Sequence, residues 1–197
     1  MSFFPPLQAY APDARNHGES FWSEEFNDQL LMEDLFCFMD DIKAPKAVLI
    51  GHSLGGSTAC KATLTVPERV EMLFVEDMLA RKLDQEDLNH LIRVLNTLKQ
   101  VEPSIPQGMD KEELKNFITA HVFQKMHPDV PLDQIFQDKP YPFFSLCKDS
   151  SGRYRFATNL DVIIEKLQDV DSIMKDCKGI YNGPTYFIYG TKSFLHV

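Results

Sequence analysis

Residues 46–62 read KAVLIGHSLGGSTACKA, and they constrain the fold more than any other stretch of the chain. KAVLI is a short apolar run of the kind that forms a buried strand. Residues 54–65 suit a helix, packed closely through Gly55, Gly56, Ala59 and Ala62. Pro67 follows its end, and VEMLFVED (70–77) reads as a second buried strand. Strand, helix and strand at this spacing make a parallel βαβ unit, which places the chain in the α/β class.

The rest of the chain extends that unit. Residues 23–41 read as a helix with Ser23 as N-cap and an apolar stripe of Phe26, Leu30, Leu31, Leu35 and Phe38, ended by Ala44-Pro45. LQAYA is a strand end held extended by the prolines around it. Residues 84–100 and 110–126 are amphipathic helices joined by a Pro-rich connector, with no strand between them. Helices inserted between strands of such a sheet form a cap over its ligand end. SGRYRFATNL is a short extended piece, DVIIEKLQDVDSIM is helical, and GPTYFIYG is a third strand. The expected organisation is one mostly parallel sheet flanked by helices, with core about 1–79 and 156–197 and a helical cap about 80–155.

Composition narrows the function classes. A length of 197 residues supports one sizeable domain. The formal net charge of −9, with no basic tract to offset it, argues against nucleic-acid binding. No apolar run approaches the roughly 20 residues of a membrane span. The first twenty residues show no targeting pattern. Cys37, Cys60, Cys147 and Cys177 lie far apart without metal-ligand spacing, and they read as reduced, intracellular cysteines.

Gly51-His52-Ser53-Leu54-Gly55 matches the nucleophile elbow G-x-S-x-G. The serine must sit on a strained turn so that its hydroxyl projects above the sheet, and the flanking glycines remove the clash. The following helix aims its N-terminus at the reacting oxygen, with the Leu54 N–H as an oxyanion donor. A phosphate-binding turn is the competing reading, but GHSLGG lacks the Lys-Ser/Thr ending of a phosphate loop. Active-site groups of an open α/β sheet lie beyond the carboxyl ends of its strands. The third strand exits into Gly190-Thr191-Lys192-Ser193 without a carboxylate, whereas the second exits through Glu76 and Asp77. Asp77 is the preferred acid, with Glu76 as the fallback.

DARNHGES (13–20), the GHSLGG elbow, PERVEMLFVED and GRYRFATNLD…YNGPTYFIYG, in this order, resemble one branch of the α/β-hydrolases. That branch includes alpha/beta hydrolase domain-containing protein 11 and related bacterial esterases. The resemblance covers nearly the whole chain and is weakest across 80–150. It implies Ser53 as nucleophile and Asp77 as acid of a Ser-Asp-His triad acting on carboxylic esters, acyl-glycerols or thioester-like lipids. It further implies no cofactor and no metal, a small-molecule ester or lipid as partner, and in animals a mitochondrial address, with cytoplasm as the alternative. A protein partner is left open.

The same resemblance places the catalytic histidine in a loop after a further C-terminal strand, and a His-Gly strand ahead of DARNHG. Neither is found in this chain, so truncation at both ends is expected. His52 should point away from the hydroxyl, and His17 holds a turn. His90, His121 and His127 lie in the cap, and His196 matches a family segment that is not the base. The expectation is a hydrolase-lineage chain with negligible ester turnover; the alternative is a non-catalytic lipid- or protein-binding protein.

Overall fold

The structure, a computed structural model, describes residues 8–78, 83–129, 131, 145–169, 171 and 178–190. Helix α1 (Asp28–Asp41) leads into strand β1 (Ala47–His52), helix α2 (Leu54–Thr65) and strand β2 (Val70–Glu76). Helices α3 (Gln85–Val101) and α4 (Lys111–Met126) follow, then a hairpin of β3 (Leu146–Lys148) and β4 (Tyr154–Phe156). Helix α5 (Leu160–Leu167) and strand β5 (Thr185–Ile188) complete the elements. β1, β2 and β5 form a parallel sheet in the order β1-β2-β5, with Leu49 beside Leu73 and Glu76 beside Ile188.

The sheet has one buried face and one open face. Leu49, Leu73 and Val75 are buried in a core shared with Met32 and Met39 of α1 and Ala59, Cys60 and Ala62 of α2. The residues between and beside them along each strand point to the other side. There Ile50 is 70% exposed, Val48, Tyr186 and Ile188 are also exposed, and Phe74 stacks on Tyr186. Among the described residues, β1 pairs only with β2, so its outer edge is open. LQAYA, expected as a strand end, lies in no strand over residues 8–11.

Two further apolar clusters lie away from the sheet. α3, α4, β4 and α5 pack around Leu98, Val101, Leu114, Ile118, Phe156 and Ile164. A smaller cluster joins both halves of the molecule: Phe26 and Leu31 meet Leu88 of α3 and Ile163 and Leu167 of α5, with Ala14 and Leu54 at its margin.

The expected elements recur with small shifts. α2 runs over the expected 54–65, and α3 and α4 begin after Asp84 and Asp110, whose carboxylates accept from backbone N–H groups of the first turn. α1 starts later than expected: its N-cap is Asn27, which accepts from the Leu30 N–H, and not Ser23. The Ser23 N–H and the Glu25 carbonyl are both bonded to Asn16, which keeps that stretch out of helical geometry. β3 was not expected, because three residues are too few to show a period. The helix expected over 161–174 is seen as Leu160–Leu167, with most of its second half outside the described residues. Cys37 and Cys147 are free thiols, Cys60 is buried beneath the sheet, and Cys177 lies outside the described residues.

α1 is fastened to α2 by a nearly buried ion pair, Lys61 Nζ to Asp28 Oδ2 at 2.7 Å. Removing one partner leaves a buried charge uncompensated, which typically costs about 3–5 kcal/mol, whereas replacing both with apolar groups is often neutral. Urea denaturation should therefore show Lys61→Ala to be destabilised by about 3 kcal/mol, and Lys61→Met with Asp28→Leu to be close to the parent.

Candidate active site

The carboxyl ends of β1 and β2 bring the two preferred residues to one level. His52 is paired with Glu76, so Ser53 and Asp77 are the next residues out on adjacent strands. Both have left-handed backbones, φ +51° for Ser53 and +48° for Asp77. A non-glycine residue in that region is strained and needs support from its surroundings. Here the support is a continuation of the ladder: the Ser53 N–H donates to the Glu76 carbonyl at 3.1 Å, and the Asp77 N–H to the Ile188 carbonyl at 2.8 Å. Glu76, the fallback acid, thus holds the elbow through its backbone, and its exposed side chain shares the open face with His52.

The elbow shows which glycines matter. A Cβ on Gly51 would lie 2.3 Å from the backbone of Gly55, so strand and helix can only approach this closely without it. Gly56 is the second contact: its Cβ would meet the Gly51 carbonyl at 3.0 Å and Val75 at 3.1 Å. Gly55 has nothing within 4 Å of its added Cβ, so the clash relief expected at the position two after the serine belongs to Gly56 instead. Ser53 itself is exposed. α2 begins at Leu54, so the Leu54 N–H is among the first-turn donors that have no acceptor within the helix.

Asp77 carries an unusual feature. Its Oδ1 is buried and has no hydrogen-bond partner among the described residues. Buried carboxylate oxygens are ordinarily satisfied. Close by, the Tyr189 hydroxyl donates to the Met78 carbonyl at 3.3 Å. Burial pushes the Tyr189 phenol above its ordinary range, and the proximity of Cys60 and Asp77 adds to the shift.

Among the described residues, three of the histidines have partners of their own close in the chain. The Nδ1 of His17 bonds the Arg15 carbonyl at 3.0 Å, and its ring tilts against Phe26. His52 is exposed on β1. His90 lies on α3. His121 bonds the Phe117 carbonyl and stacks on the Phe117 ring, and His127 lies against Phe123. His196 lies outside the described residues. Among the described residues no cluster of His, Cys, Asp and Glu could hold a metal ion, and no helix is long and apolar enough to cross a membrane.

DARNHGES folds as a compact turn that anchors the loop before α1. Arg15 makes a two-pronged bond to Asp34 of α1, at 2.7 and 2.8 Å. Gly18 is left-handed at φ +54°, where a Cβ would strike the Asp13 carboxylate. Asn16 is fully buried and bonds Ser23, Glu25 and Asn159. This hub was not expected, because only folding brings Asn159 to Asn16.

The alpha/beta hydrolase fold family matches residues 7–195. The chain belongs to that family. This α/β hydrolase is 27% identical over 183 residues to the mouse sn-1-specific diacylglycerol lipase ABHD11, covering 92% of the chain and 55% of that protein. It is 29% identical over 197 residues to ethanol acetyltransferase 1 of Cyberlindnera jadinii, covering 93% and 57%. A solved marine microorganism esterase superposes with a TM-score of 0.66 at 24% identity, over 91% of this chain and 64% of that one. The resemblance drawn from DARNHG and the elbow is therefore borne out at the level of family and fold. The hydrolase chain spans about half the length of the curated relatives it matches.

The elbow geometry predicts opposite outcomes for its two glycines. Gly51→Ala forces backbone to move and should lose about 3 kcal/mol in chemical denaturation. Gly55→Ala, in open space inside a helix, should be neutral or stabilising by up to about 1 kcal/mol in the same measurement.

Proposed function

We propose that this chain carries the acyl-transfer site of a serine hydrolase acting on carboxylic esters of acyl-glycerol or lipid type. Ser53 is the nucleophile and Asp77 the acid. The observation that carries the reading is the pairing of two strained residues on neighbouring strand ends, one an exposed serine at a helix N-terminus and the other a carboxylate with a buried, unpartnered oxygen. The diacylglycerol lipase and ethanol acetyltransferase relatives support it, since both are named for reactions that move an acyl group.

In this reading the Ser53 Oγ attacks the ester carbonyl carbon, and its proton passes to an imidazole held against Asp77. The Leu54 N–H donates to the oxyanion. The protonated imidazole returns its proton to the leaving alkoxide, and water then cleaves the acyl-serine. The unpartnered Asp77 oxygen is where such an imidazole would bond. His17 and His121 have their own carbonyl partners, so neither is assigned as base. With no base assigned, this reading gives the chain negligible ester turnover until one is supplied. The second reading is a chain that binds a lipid or a protein at this site without cleaving it.

Added imidazole tests both together. With p-nitrophenyl butyrate the parent chain should match Ser53→Ala in buffer alone. Free imidazole should restore Ser53-dependent turnover by about tenfold or more, well within what a general base contributes. Robust turnover without imidazole would show that the chain already holds its base. Lipid binding with no Ser53-dependent reaction under either condition would favour the second reading.

A further inference from the structure

We propose that Asn16 and Asn159 are positioning residues that seat helix α5, and with it α3 of the cap, beside Ser53 and thereby set which acyl lengths the site accepts. The inference rests on the reading of Ser53 as nucleophile.

Asn16 is fully buried, and its backbone is left-handed at φ +62°. Its N–H donates to the Phe21 carbonyl, and its carbonyl accepts from the Asn159 N–H at 2.8 Å. Its Oδ1 accepts from the Ser23 N–H at 2.8 Å and from Asn159 Nδ2 at 3.1 Å, while its Nδ2 donates to the Glu25 carbonyl at 3.3 Å. The backbone donor of Ser23 and the backbone acceptor of Glu25 fix which way the Asn16 amide faces, so Asn159 must present its NH₂ group.

Asn159 stands at the N-cap of α5, a position where asparagine normally accepts from the first-turn N–H groups. Its side chain makes no such bond here. It is turned instead onto a residue 143 positions away in sequence. The same joint carries the Gly18 N–H to the Ala157 carbonyl at 2.7 Å and a bridge between His17 and Thr158. Residues 16–18 and 157–159 are thus stitched together at the base of α5.

The position of α5 matters to the site through the apolar cluster that joins the halves. Ile163 and Leu167 of α5 pack in it with Leu88 of α3, and Leu91 and Ile92 lie against it. Leu54, the residue after the nucleophile, touches the same cluster. A shift of α5 therefore moves the apolar wall against which Leu54, next to the nucleophile, packs. A short acyl group reaches little of that wall, whereas a long one must lie along it.

Two substitutions separate this role from simple helix capping. Aspartate is as good an N-cap as asparagine, so a role confined to starting α5 leaves Asn159→Asp equal to the parent. In the clamp, its carboxylate meets the Asn16 Oδ1 acceptor to acceptor, which makes Asn159→Asp worse than Asn159→Ala. The probes are butyl and dodecyl trifluoromethyl ketones, ester-carbonyl mimics whose bound and free forms are resolved by fluorine NMR. We expect dodecyl affinity to fall about fivefold or more in Asn159→Asp, with butyl affinity within about twofold of the parent and Asn159→Ala in between. Equal losses for both probes, or an Asn159→Asp variant matching the parent, would overturn the inference. If Asn159→Asp does not fold, Asn159→Ala decides by the same ratio of affinities. Ser53→Ala in the otherwise parental chain is the separate control. If, with imidazole present as the added base, it leaves both affinities unchanged, the assignment of Ser53 fails, and the acyl-length inference falls with it.

Discussion

The parallel ladder of β1, β2 and β5 is the constraint on which the site depends. It does not stop at the last paired residues. The Ser53 N–H continues it onto Glu76, and the Asp77 N–H continues it onto Ile188. Each strained backbone is thereby held by the neighbouring strand rather than by its own segment. Strain of this kind persists only where the surroundings over-determine it. The bare approach of Gly51 to Gly55 and Gly56 does the same work from the helix side.

Much of this was legible in the sequence, and the limits have physical causes. The βαβ unit was readable because each of its elements has local chemistry: apolar strands, a small-residue helix, a proline after it. The ends of α2, and the ranges of α3 and α4 to within one residue, followed for the same reason. The N-cap of α1 was misplaced because the decision between Ser23 and Asn27 is made by Asn16, through hydrogen bonds that no local pattern records. Glycine roles inside the elbow divided differently from the motif's symmetry, since Gly56 rather than Gly55 faces β1. Ser53 was read from the G-x-S-x-G elbow, and Asp77 from its place at the exit of the second strand, in agreement with the family resemblance. Their equal level on the sheet needed the register, in which His52 stands beside Glu76.

The two halves of the molecule are joined by unlike means. The third cluster is apolar and tolerant of small shifts, because dispersion and burial are not directional. The Asn16–Asn159 joint is polar, buried and directional, so it specifies one arrangement among those the cluster would allow. Against this closely determined interior, the open sheet face of Val48, Ile50, Tyr186 and Ile188 stands out as apolar surface in contact with solvent. An open edge beside it is the usual site of unwanted strand pairing.

The shared level of Ser53 and Asp77 has a consequence for how this chain can change length. α2 and the turn through Pro67–Arg69 lie between the two strands, outside the ladder that aligns them. Residues added in that turn would loop outward and leave the nucleophile and the acid where they are. One residue added within β2 would rotate every later side chain to the opposite face and move Asp77 off the rung beside Ser53. The spacing that the fold guards is therefore counted across the sheet, rung by rung, and not along the chain.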